Sequence, residues 1–228
     1  ASGDITITGT IDLAGSLLIA AGSEVEIYDT TLEVAGSGNQ VHIISDGDLA
    51  LGRASIANGH DSYPDGQRYQ QGGLVAAETK IHLQAQGLID IGSGTQVMVS
   101  AENSQILIAA ANLDVVGSIY AGATLASDQE SIDWTSGNSS IDIDVTELAT
   151  LGGLGVDNAT GEQATRGGVL QATASVDISV IGGDAETAIV VNGLSSITTD
   201  ATGGGTLADT TDSTMVLTSD RAVQIYGL

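Results

Sequence analysis

The chain has no cysteine, no phenylalanine, one proline and one tryptophan among 228 residues. Without cysteine there are no disulfides, no thiolate metal ligands and no thiol nucleophile, although this assigns no compartment. A globular core of this length ordinarily recruits several large aromatics. Here the apolar material is Ile, Val, Leu and Ala, which suits a narrow interior. Basic residues are scarce too: 5 Lys and Arg face 29 Asp and Glu, for a formal net charge of −24. That balance excludes the cationic footprint of a nucleic-acid binder and argues against docking on anionic lipid. No apolar run approaches the roughly 18 residues of a membrane helix, so membrane insertion is not expected. No signal-peptide pattern is visible, and a start at Ala1 fits a processed protein or an excised fragment equally well.

What the chain does have is 31 glycines and a short beat repeated from end to end. Two aliphatic residues flank a third, most often polar, and a Gly- or Asp-bearing corner follows. Ile5-Thr6-Ile7, Ile11-Asp12-Leu13, Leu17-Leu18-Ile19, Val25-Glu26-Ile27, Leu32-Glu33-Val34, Val41-His42-Ile43 and Leu49-Ala50-Leu51 open the series. It resumes at Ile81-His82-Leu83 and continues to Val223-Gln224-Ile225. Such alternation marks half-buried strands, because successive side chains point to opposite faces. No stretch sustains helical periodicity. Each strand is too short to bury a core alone, so the beat must stack on copies of itself.

Aligning the first strands sets Ile5 against Val25, Ile11 against Leu32 and Leu17 against Val41, and these offsets give the coil length. Three strands and three corners account for each coil, and about eight or nine coils fill the chain. An antiparallel sandwich would alternate in the same way, but the near-constant gaps and the scarcity of Asn-Gly and Asp-Gly hairpin signals favour parallel coils. The expected fold is a single all-β domain over 1–228, a right-handed parallel β-helix with about three short strands per coil. Two segments break the beat, 57–78 and 152–168, and both read as loop insertions at a corner. Residues 120–140 and 199–212 are weaker interruptions.

The runs GDITITGTIDLAGSLLIAAGSEVEI (3–27) and LIDIGSGTQVMVSAENSQILIAAANLDVVGSIYA (88–121) resemble the stalk repeats of filamentous-haemagglutinin-like exoproteins and other giant bacterial surface adhesins. The resemblance is one of rhythm and composition and covers about two-thirds of the chain. It implies a secreted parallel β-helix that extends from a cell and attaches it to host surfaces, matrix or glycans. The Asn-Pro motifs of the family's secretion domain are missing, so the resemblance implies stalk rather than secretion module.

Several motifs carry chemistry of their own. Gly152–Thr160 fits the Ca²⁺-binding nonapeptide G-G-x-G-x-D-x-U-x, apart from Ala159 in place of a large apolar residue. Its candidate ligand positions are Gly153, Gly155 and Asp157, without a tandem copy to complete the ion's shell. Asp142 and Asp144 lie two apart on one strand, about 6.6 Å by strand rise. That pair offers Ca²⁺ oxygen ligands or, at the separation used by inverting glycosidases, a polysaccharide-cleaving centre. Solvated outward carboxylates are the plainer reading, and no catalytic residues are assigned. Asp4 and Glu24, Thr6 and Glu26, and Asp12 and Glu33 should stack on successive coils, where like charges repel unless screened or bridged by a cation.

The 57–78 insertion concentrates His60, Tyr63, Arg68 and Tyr69, residue types that anchor interfaces. It reads as a binding loop or as a cover over apolar coils. His42 and His82 take outward slots, and three scattered histidines do not spell a transition-metal site. The chain therefore reads as a non-enzymatic structural rod of an extracellular or cell-surface fibre, stacking end to end with itself or with the remainder of a longer stalk. No cofactor is implied apart from Ca²⁺. The alternatives are a Ca²⁺-dependent binding module and a polysaccharide-degrading β-helix enzyme.

Overall fold

The computed structural model describes residues 1–52, 74–125, 132–135, 137–156, 163–184, 186–199 and 214–226. These are all-β, with no helix among the described residues. The strands run β1 Ile5–Leu13, β2 Leu17–Ala21, β3 Val25–Val34, β4 Gln40–Ser45, β5 Leu49–Leu51, β6 Leu74–Ala77, β7 Lys80–Ala85 and β8 Leu88–Ile91. Then come β9 Gln96–Val99, β10 Gln105–Val115, β11 Ser118–Ala121, β12 Ala123–Leu125, β13 Ile132–Trp134, β14 Ser140–Leu151, β15 Gly153–Val156 and β16 Gln163–Arg166. β17 Val169–Ala172, β18 Ser175–Val180, β19 Thr187–Val191, β20 Ser196–Thr198, β21 Thr214–Ser219 and β22 Ala222–Ile225 complete the chain.

Eighteen of these strands form one sheet in which every pairing is parallel. Register sorts them into three columns, visited in turn by the chain. The first carries Ile5, Val25, Leu49, Ile89, Leu113, Ala149, Ile189 and Val223 on successive passes. The second carries Ile11, Leu32, Val75, Val97, Ile119, Leu170 and Ile197. The third carries Leu17, Val41, Ile81, Ile106, Ile141, Val176 and Met215. The three offsets read from the sequence are themselves register pairs, Ile5–Val25, Ile11–Leu32 and Leu17–Val41.

Alternation becomes burial. In β7, Ile81, Leu83 and Ala85 are buried, Lys80 and His82 are partly exposed and Gln84 is exposed. Residues from all three columns join one hydrophobic cluster that includes Val25, Leu32, Val41, Ile89 and Ile108. Each fully buried Val, Leu or Ile contributes about 1.5–3 kcal/mol relative to exposure. Ladders of identical type, such as Ile108–Ile143–Ile178, repeat one packing solution along the column.

The corner between first and second columns has a recurring polar device. Thr30 Oγ1 donates to the Ile7 carbonyl at 3.1 Å, Thr95 Oγ1 to Leu51 at 2.9 Å and Ser195 Oγ to Leu151 at 2.8 Å. In each case a hydroxyl donates to the carbonyl at the end of a first-column segment one pass earlier, and Leu51 and Leu151 also accept the backbone N–H groups of Gly92 and Asn192 at 2.8 and 2.9 Å. Buried carbonyls need such partners. Gly52 and Gly152 follow Leu51 and Leu151 with φ of 62° and 79°, a left-handed turn that side chains resist.

Two expectations about the interruptions are corrected. The segment 57–78 does not remain a loop to its end, because Leu74–Ala77 forms β6 and pairs with β3 and β9. Its outward residues, Leu74 and Ala76, are not polar, so alternation was hidden. The segment 152–168 contains an antiparallel hairpin, β15 with β16, and 120–140 contains a second, β12 with β13.

Candidate functional site

A groove of about 590 Å³ lies over the outward face of the second column. Its floor follows the outward ladder Asp12–Glu33–Ala76–Met98, and Met98 is buried although it occupies an outward slot. One wall is Ala123, Thr124 and Leu125 of the β12–β13 hairpin; Glu78 and Ser100 lie along the rim. The next residue of the ladder after Met98 is Tyr120, which meets Trp134 of the hairpin edge-on, ring centres 6.0 Å apart. Three carboxylates, an apolar floor and an aromatic pair thus lie along one axial strip. Such a strip suits a ligand with hydroxyl or cationic groups and an apolar body. In sequence, Ala76, Met98 and Trp134 belong to unrelated stretches, and only register brings them together.

The predicted acidic stacks are real but short. Thr6 pairs with Glu26 and Asp12 with Glu33, but the next residues in those ladders are Ala50 and Ala76. Asp4 Oδ1 accepts the Glu24 backbone N–H at 3.3 Å, and hydrogen bonds from Ser23 and that amide hold its carboxyl below the usual range. Two further acidic pairs lie in register, Asp90 with Asp114 and Asp142 with Asp177. Burial raises the Asp177 pKa, and the neighbouring Asp142 carboxylate raises it further.

Asp142 accepts hydrogen bonds from Gln105 Nε2 at 2.6 Å and Ser140 Oγ at 3.3 Å. Asp144 is exposed on the same strand, between Ala109 and Ser179 in its ladder. Both belong to the third column, whereas Gly153 and Gly155 belong to the β15–β16 hairpin that leaves the first. The hairpin engages those glycines in an antiparallel ladder, unlike the tandem turns of the nonapeptide motif. Asp157 lies outside the described residues, as do His60, Tyr63, Arg68 and Tyr69. Among the described residues no three His, Asp or Glu side chains are grouped to hold a metal.

Asp114 is a group that sequence reading missed. It is half-buried, burial raises its carboxyl pKa, and its Oδ1 has no hydrogen-bond partner. An unfolded Asp ionises near 3.9. A folded pKa above that value means ionisation opposes folding, with a penalty that grows as pH rises through the folded pKa and is complete at neutral pH. Asp114→Asn should therefore raise stability by about 1 kcal/mol at pH 7, about 2–4 °C in Tm. The gain should vanish below pH 3; thermal melts at both pH values test it, and a lower Tm at pH 7 contradicts it.

His42 and His82, on strands far apart in the chain, are neighbours in one ladder. Their rings meet edge-on with centres 5.4 Å apart. Burial, His42 and Lys80 all lower the His82 pKa. Compared with known proteins, the chain matches no family model, no curated protein and no solved structure.

Proposed function

We propose that the chain is a right-handed parallel β-helix acting as a structural rod of a secreted or cell-surface bacterial fibre. The observation carrying this reading is the threefold register: each pass adds one rung to each of three parallel columns that share a single apolar cluster, with β1, β3, β10 and β14 each running through two columns. A crossover between parallel strands of one sheet is almost always right-handed. Seven steps separate the eight first-column strands, which at about 4.8 Å per step makes an axial length of roughly 34 Å. The resemblance to adhesin stalks supplies the cellular setting, and acidity keeps such rods soluble.

The ends support assembly along the axis. Among the described residues, β1 and β2 at one end, and β20, β21 and β22 at the other, each pair on one side only. Their ladder residues are less covered than interior ones; Met215 is 46% and Ile225 57% exposed, against 0% for Ile106 and Ile89. Unpaired edges template further strands, supplied by a second copy or by further coils of a longer stalk. Attachment to a surface, matrix or glycan would use the second-column groove or the 57–78 segment.

Negative-stain imaging over a concentration series tests the stacking. Filaments of uniform diameter, diffracting along their axis at about 4.8 Å, are the expected product. Ile225→Lys should abolish their growth while leaving the monomer's melting point nearly unchanged, because charge on an edge blocks pairing. A wild-type chain that stays monomeric at every concentration would rule out self-stacking and leave only the longer stalk.

A further inference from the structure

The two edge-on histidines have a geometry that their sequence spacing conceals. The chain between them includes residues 53–73, yet in the fold His82 follows His42 by one pass of the third column. They occupy the middle of the ladder Leu18–His42–His82–Leu107, with apolar neighbours above and below. Both rings are partly exposed on the outward face.

His42 Nε2 lies 3.0 Å from Gln40 Oε1. In the neutral tautomer that donates Nε2–H to this oxygen, Nδ1 is the nitrogen left to ligate a metal. Metal-ligating histidines are oriented in this manner, with the second ring nitrogen donating to a fixed acceptor. The ring separation fits as well. With Zn–N near 2.1 Å and about 1.2 Å from nitrogen to ring centre, a shared ion sits about 3.3 Å from each centre. Two centres 5.4 Å apart lie within reach of one shared ion once a ring turns about its χ2 from the present interplanar angle of 80°.

We propose that His42 and His82 form a two-imidazole site for one divalent transition-metal ion of the zinc, copper or nickel class, with water in the remaining positions. Imidazole donors select these metals over Mg²⁺ and Ca²⁺, which take oxygen. The net charge of −24 concentrates cations around the chain. Lys80, in register with Gln40 and two residues before His82, opposes a bound cation and limits its affinity.

The test is calorimetric titration of the whole chain with ZnCl₂ alone, in excess Mg²⁺ so that surface carboxylates are already occupied. One Zn²⁺ per chain is expected. His42→Ala and His82→Ala should each weaken binding at least about tenfold, and Gln40→Ala should weaken it about tenfold through the lost orientation. His60→Ala should leave it unchanged. Lys80→Gln should tighten it, a change that a merely structural role for this face would not produce. Gln40, Lys80 and both histidines of the site lie outside the apolar cluster, and circular dichroism confirms that each variant is folded. Zinc heat that persists in the His42→Ala and His82→Ala variants, or no heat beyond the Mg²⁺ background in the wild type, overturns the proposal.

Discussion

Replacing Gly168 with alanine should unfold or severely destabilise the chain, by about 3 kcal/mol or more. Gly168 is where the backbone re-enters the second column after the β15–β16 hairpin. An added Cβ would run into the Val115 carbonyl oxygen of the pass below and approach the Gly152 amide at 3.1 Å. Neither can retreat. Val115 O accepts the Gly152 N–H at 2.7 Å, and on the other side Gly168 accepts from the Ser196 N–H at 2.9 Å. Gly168 also donates to Ser195 Oγ at 3.1 Å, the hydroxyl that in turn donates to the Leu151 carbonyl. A methyl group here separates three passes at once. At about 2–4 °C per kcal/mol for a chain of this size, Tm should fall by about 6–12 °C. Gly153→Ala is the control, since its Cβ would meet only Val116 Cγ2 at 3.7 Å, ordinary contact. Equal melting of the two variants would refute the placement of this re-entry.

Ile143→Ala should cost about 2–5 kcal/mol, the range for large-to-small changes in a core that relaxes only partly. Ile143 is 1% exposed and sits between Ile108 and Ile178 in the third column. A stack in which each pass touches only its neighbours has no remote side chains to fill the void. Leu217→Ala, in the same ladder one step beyond Ile178, should cost under about 1 kcal/mol, because Leu217 is only partly buried. Denaturant melts of both variants compare centre with end; equal losses would mean that the open edge is covered in solution.

The difference between centre and end has a simple origin. Interior rows are clamped above and below by parallel ladders, and end rows on one side only. Local opening should therefore begin at β1, β2, β21 and β22 and spread inward.

Much of this architecture is legible in the residues. Ile5, Ile7, Ile11, Leu13, Leu17 and Ile19 already show the three strands of one pass, and their spacing to Val25, Leu32 and Val41 is the structural register. Alternation sorts inward from outward because side-chain direction in a strand has a period of two. Where outward residues are small or apolar, as at Leu74 and Ala76, the signal fades and the strand passes for loop. The hairpins were also hidden, for β15 and β16 have little aliphatic alternation and pair with each other rather than with the sheet.

The sequence by itself determined that this is an all-β chain of short, stacked strands with an aliphatic interior and an acidic exterior. Those properties depend on residue type and local period, which need no distant partner. The tertiary structure alone decided which outward residues meet. Insertions of unequal length make the spacing of equivalent positions uneven, as the pairs Ile5–Val25, Val25–Leu49 and Leu49–Ile89 show. The His42–His82 contact, the Asp90–Asp114 pair and the groove over Ala76 and Met98 follow from register across those steps. Register is fixed by burying the aliphatic face of each ladder, and across insertions of unequal length the local beat alone does not give it.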